Sequence, residues 1–290
     1  MKTAIVLLAA FFIANAARAQ IQVELKFSRL QYVAYEPVTA TVKITNRAGR
    51  EIELRDDDGQ RWFGFEVTAG EGRFLPRERD ESEPPLRIES GETVTRKINI
   101  TPLFPVQDLG PYHVRAHVFF GDLKRFFYSQ AKVFQVTDAR PIWQRTVGIP
   151  DGMPGAGGIR TYSLLSNRFS DHTKLYVRVE DKNTGAVYST FPIGRVIAFD
   201  EPQAELDSGN TLHVLHCAAP RTWAYSQIGL NGEIIRRATF METKKRPRLA
   251  RTSTGAVGVR GGMLDTPAAQ AGRASGPKLS DRPTTTPVDD

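Results

Sequence analysis

A single cysteine, Cys217, is all the chain holds, so no disulfide can close within it and stability must come from buried cores. Beyond residue 14 no apolar run approaches the ~20 residues that a membrane-spanning helix needs. The G-x-S-x-G, H-E-x-x-H, Walker and dinucleotide-binding patterns are all missing, as is any paired-cysteine zinc spacing. No catalytic residue, cofactor or metal ligand is therefore expected. Excess charge of one sign is also scarce in the body of the chain. Residues 20–138 carry 17 basic and 18 acidic side chains and residues 139–243 carry 11 and 10, whereas residues 244–290 carry 9 and 4. The net +7 thus sits mostly in the two ends, which argues against a nucleic-acid-binding face on the folded part.

What is present begins with an export address. Lys2, the apolar residues 4–14 and Ala17-Arg18-Ala19 before Gln20 have the three parts of a secretory signal peptide. Cleavage near Ala19 predicts a soluble periplasmic or extracellular protein, with no cysteine after the cleavage site to carry a lipid.

From Ile21 onward the hydrophobic period is two, the mark of strands with one buried face. Ile21, Val23, Leu25 and Phe27 alternate with polar residues, as do Val38, Ala40, Val42 and Ile44. Similar runs lie at residues 51–54, 61–68, 86–88, 93–101, 112–120 and 125–136, separated by Gly- and Asp-containing turn signals. With no helical period, the predicted class is all-β, with an antiparallel sandwich over residues 20–138.

Asp108-Leu109-Gly110-Pro111-Tyr112-His113-Val114 resembles the D-x-G-x-Y-x-C corner of immunoglobulin-like domains, in which a Tyr hydroxyl ties the corner to upstream backbone. Trp62 falls where those domains place a core Trp. Val114 replaces their cysteine, which matches the cysteine-free bacterial Ig-like domains of exported proteins. The order of segments is also similar to the proteinase-inhibitor type of Ig-like domain. That resemblance implies an exposed inhibitory loop, for which residues 70–85 are the candidate.

Residues 139–158 hold three prolines and many glycines and read as a linker. Beyond it, residues 173–179 (TKLYVRV) align with residues 210–216 (NTLHVLH) at an offset of 37, and Tyr188 aligns with Tyr225. A third copy begins at RPRLARTSTGAVGVRGG. Units of this length resemble β-propeller blades, and predict a β-meander or partial-propeller domain over residues 159–250. Residues 251–290 are rich in Gly, Ala, Thr, Pro and Ser and are expected to form a disordered basic tail, available to acidic polymers.

Four clusters invite a chemical reading. In YHVRAHVFF, His113 and His117 share a strand face but stand about 13 Å apart, too far to chelate one ion. In TLHVLHCA, strand parity sends His216 and Cys217 to opposite faces, so they form no dyad. Asp56-Asp57-Asp58-Gly59 departs from a calcium loop, because Leu54 and Phe65 stand where acidic ligands belong, and reads as a hairpin turn. Arg221, Trp223, Tyr225 and Gln227 share one face at period two, a strip suited to stacking on sugars or an extended peptide. The function expected is a non-enzymatic, exported binding or assembly module for a protein or glycan partner. A secreted proteinase inhibitor and a hydrolase with an inter-domain site are the alternatives.

Overall fold

The computed structural model describes residues 20–265, apart from residues 80, 81, 154, 198 and 199, and divides into two units, Met1–Ala139 and Arg140–Asp290. Both are built of β-strands with no α-helix among the described residues. The signal-like residues 1–19 and the tail residues 266–290 lie outside the described residues.

In the first unit the strands are β1 (Ile21–Phe27), β2 (Gln31–Val33), β3 (Thr39–Asn46), β4 (Ile52–Leu54), β5 (Phe63–Ala69), β6 (Arg73–Phe74), β7 (Leu86–Ile88), β8 (Thr93–Asn99), β9 (Gly110–Phe120), β10 (Arg125–Tyr128) and β11 (Lys132–Thr137). One sheet has the order β1-β3-β8 and the other β2-β11-β9-β5-β6, with β10 on β9. All pairs in these two sheets are antiparallel except β2 with β11. Alternation explains the packing. Val23, Leu25, Val42 and Ile44 of the first sheet join Val67, Val114, Val118 and Phe134 of the second in one core, each contributing roughly 1.5–3 kcal/mol by burial.

Two aromatic residues anchor that core. Trp62 is fully buried, and its indole N–H donates to the Glu83 carbonyl at 3.0 Å. The Tyr112 hydroxyl donates to the Asp108 carbonyl at 2.8 Å, while its ring stacks on Phe134 at 5.3 Å. A side chain that fills the core and also ties down a corner is doubly constrained, because displacing it would strand a buried hydroxyl.

The second unit contains β12 (Arg140–Gly148), β13 (Ile159–Arg168), β14 (Thr173–Asp181), β15 (Val187–Val196), β16 (Gln203–Leu206), β17 (Leu212–Ala219), β18 (Thr222–Ile228), β19 (Ile234–Met241), β20 (Arg248–Arg251), β21 (Val257–Arg260) and β22 (Met263–Leu264). They form a four-stranded sheet β12-β13-β14-β15, a five-stranded sheet β16-β17-β18-β19-β22 and a β20-β21 hairpin. Leu212, Val214 and Ile228 face Tyr162, Leu164, Val177 and Val179. The opposite face of the five-stranded sheet carries Leu215, Cys217, Trp223 and Tyr225, packed on Leu249 and Val259 of the hairpin. β17 is thus buried on both sides.

Two sequence boundaries are corrected. Residues 140–148, read as linker, form β12. It is an edge strand, where Pro141 costs no ladder bond, and a register shift follows between Pro141 and Trp143. Residues 251–265, read as the start of a disordered tail, are ordered. Their glycines supply turns rather than disorder, with Gly255 at φ 84° closing the β20-β21 hairpin. The 37-residue offset lays β14 and β15 over β17 and β18. β14 is third in its sheet and β17 second, so the internal copy is a hairpin and not a whole sheet.

Candidate functional site

The aromatic strip is located first. Trp223 and Tyr225 do share a face, but that face is covered: Trp223 is fully buried and Tyr225 is 6% exposed. The Trp223 indole N–H donates to Glu242 Oε2 at 3.1 Å. Arg221 lies in the preceding turn at φ 59°, where its guanidinium donates to the Glu242 carbonyl, and Gln227 is half-buried. These residues offer no stacking platform, because the cover is the β20-β21 hairpin, whose sequence resembles a tail.

The same cover explains TLHVLHCA. His213 bridges the Tyr225 hydroxyl (2.7 Å) and Asp207 Oδ2 (3.0 Å), while Asp207 Oδ1 accepts the N–H groups of Gly209 and Thr211. Burial pushes the Asp207 carboxyl up, but the bonds from His213, Thr211 and Gly209 more than offset it and hold it below the usual range. Burial raises the Tyr225 hydroxyl. His216 lies on the other face, fully buried beside Gly194. Burial pulls its pKa down to about 4, partly opposed by the Arg195 backbone. The Cys217 thiol is pushed up by burial and by Asp200 and Glu242, which keeps it protonated and unreactive. The cluster ties strands together, and the Cys217 thiol donates to the Ala219 carbonyl rather than to a histidine.

On the first unit, His113 is exposed while His117 is half-buried, with its ring over Gly64 and against Phe126. Burial lowers its pKa. The acidic turn is held by Lys124, whose ammonium bridges Asp57 (2.8 Å) and Asp58 (2.5 Å). Among the described residues no three His, Cys, Asp or Glu side chains converge as a metal site. Part of the 70–85 segment is tied down, as Leu75 and Glu78 donate backbone bonds to Val67 and Leu103 and Ser82 bonds Asp56.

The feature that sequence reasoning missed is the free side of β1. The Gln20 carbonyl accepts the Arg47 N–H at 2.7 Å, so its peptide group faces β3. An antiparallel ladder alternates, so Gln22, Glu24 and Lys26 direct their backbone groups to β3 while Ile21, Val23 and Leu25 direct theirs away. On that side β1 has no pairing strand among the described residues. A groove of about 740 Å³ runs along it, lined by Gln22, Val23, Glu24, Leu25, Lys26, Arg47, Tyr128, Gln130 and Lys132. Val23, Leu25 and the 41% exposed ring of Tyr128 give it apolar walls. No sequence signal marks it, since an edge strand and an internal strand can share one alternation.

A second exposed edge lies on β19. β22 pairs only with Phe240 and Met241, and the Asp265 N–H donates to the Thr239 carbonyl, leaving the Ile234 end of β19 open among the described residues. Ile234 and Ile235 are 42% and 54% exposed. There the register against β18 shifts between Gln227 and Ile228, and Arg236 and Arg237 follow.

No protein-family model matches the chain, and no curated protein matches it by sequence.

Proposed function

We propose that this chain is an exported binding or assembly module that recognises an extended polypeptide by taking it as an added strand on β1. The carrying observation is the unpaired β1 edge facing a groove with apolar walls. Main-chain bonds to Val23 and Leu25 would supply affinity, and pockets for alternate side chains would supply selectivity. Export rests on the signal-like residues 1–19. The Ig-like assignment of the first unit is part of the proposal. It is supported by the β1-β3-β8 and β2-β11-β9-β5-β6 orders, the parallel β2-β11 pair, the Tyr112 corner and the buried Trp62.

The test uses the full chain and a neutral nine-residue peptide of alternating valine and threonine. Hydrogen exchange of the Val23 and Leu25 amides is followed as peptide is added. Saturable protection of both is expected. Exchange that stays fast at every peptide concentration would defeat the proposal.

A further inference from the structure

The groove is not neutral, and its charge bears on what enters it. Lys26, Arg47 and Lys132 line it against one carboxylate, Glu24. That carboxylate accepts a bond from the Gln22 amide at 3.0 Å, and Gln22 in turn accepts from the Arg47 guanidinium at 2.7 Å. Glu24 and Arg47 are thus joined through one amide, whereas among the described residues no ion pair or hydrogen bond is seen at the side chains of Lys26 or Lys132. Both lysines are exposed. Lys26 stands at the Phe27 end of β1, and Lys132 has the parity of buried Phe134 on β11, which aims its stem at the sandwich interior at the mouth of the groove.

A strand laid beside β1 sits ~4.8 Å from it and presents its side chains alternately. One set meets the apolar surface of Val23, Leu25 and Tyr128, with Lys132 at the mouth of the groove. The other lies on the side of Glu24, Lys26 and Arg47, where two cations stand with one carboxylate. From this placement, and resting on the strand-addition reading, we infer that the occupant is an extended segment alternating apolar with acidic residues, supplied by another polypeptide. Like charges brought opposite each other on neighbouring strands are destabilising, so the same rim rejects a segment alternating apolar with basic residues. A second copy of this chain matches the rim less well than an acidic segment, because its own β1 brings Glu24 and Lys26 together and so no net negative charge.

The experiment measures binding of the full chain to fluorescein-labelled nine-residue peptides of alternating valine and glutamate, valine and threonine, and valine and lysine. The glutamate peptide is expected to bind at least tenfold more tightly than the lysine peptide at low salt. The gap should narrow as ionic strength rises and the screening length falls to ~10 Å at 0.1 M. Exchanging both exposed lysines, Lys26→Glu with Lys132→Glu, should invert the order without loss of folding. A glutamate peptide N-methylated on its valines, whose N–H groups face β1 when they stand opposite Val23 and Leu25, cannot donate to that edge and should bind at least tenfold more weakly than its parent. Equal affinity for all three peptides would overturn the acidic preference while leaving strand addition standing. Binding by none of them would remove strand addition as well. Concentration-dependent dimerisation that protects Val23 and Leu25 with no peptide present would give the edge to a second copy and overturn the inference.

Discussion

The two units each expose a strand edge and treat it in opposite ways. Along β19 the ladder is interrupted by a register shift, and two arginines follow. Bulges, charges and prolines are the usual means of keeping an edge from recruiting another chain. β1 has neither a shift nor a run of like charge. It pairs with β3 through seven consecutive residues without a shift, contains no proline, and its two charges, Glu24 and Lys26, are of opposite sign. A protein that breaks one edge with a register shift and two like charges and leaves another regular and grooved has distinguished the two.

Truncating Trp223 tests that contrast most severely. Trp223→Ala should cost about 3–5 kcal/mol in chemical denaturation of the full chain, yet leave affinity for the valine-glutamate peptide within twofold under native conditions. A loss of affinity with retained stability would restore the aromatic strip as the binding surface.

Acid should discriminate next. The folded pKa of His216 lies near 4, below its ordinary 6.5, so between those values the unfolded chain binds the extra proton. Stability present above pH 6.5 is therefore lost as pH falls toward 4, by about 2 kcal/mol between pH 7.5 and pH 5. In His216→Leu this slope should be missing, which denaturant titrations at the two pH values will show; equal slopes in both proteins would refute it.

The smallest expected change comes from disarming the guarded edge. Arg236→Thr with Arg237→Thr should alter stability by under about 1 kcal/mol while raising self-association several-fold in sedimentation velocity. Unchanged sedimentation would mean that the register shift alone protects β19.

Much of this architecture was readable from residue order because its cause is local. Strand parity assigned Ile21, Val23 and Leu25 to a buried face and placed His216 and Cys217 on opposite faces. The D-x-G-x-Y pattern anticipated the bond from Tyr112 to Asp108. What escaped depended on partners distant in sequence. Pro141 reads as a linker until β12 is known to be an edge. Gly255, Gly261 and Gly262 read as disorder until β20 finds β21. Trp223 and Tyr225 read as a surface until Leu249 and Val259 cover them, and the free side of β1 is defined only by which strands pair elsewhere.

The double burial of β17 also sets an order of assembly. As the chain emerges from its N-terminus, β17 and β18 can pair at once, but Leu215, Cys217 and Trp223 face water until the β20-β21 hairpin follows, some tens of residues later. Until residue 260 is available the second unit carries an uncovered apolar sheet, the kind of surface on which unfinished chains aggregate. The glycine-rich stretch that looked like an appendage is the piece whose arrival ends that exposure.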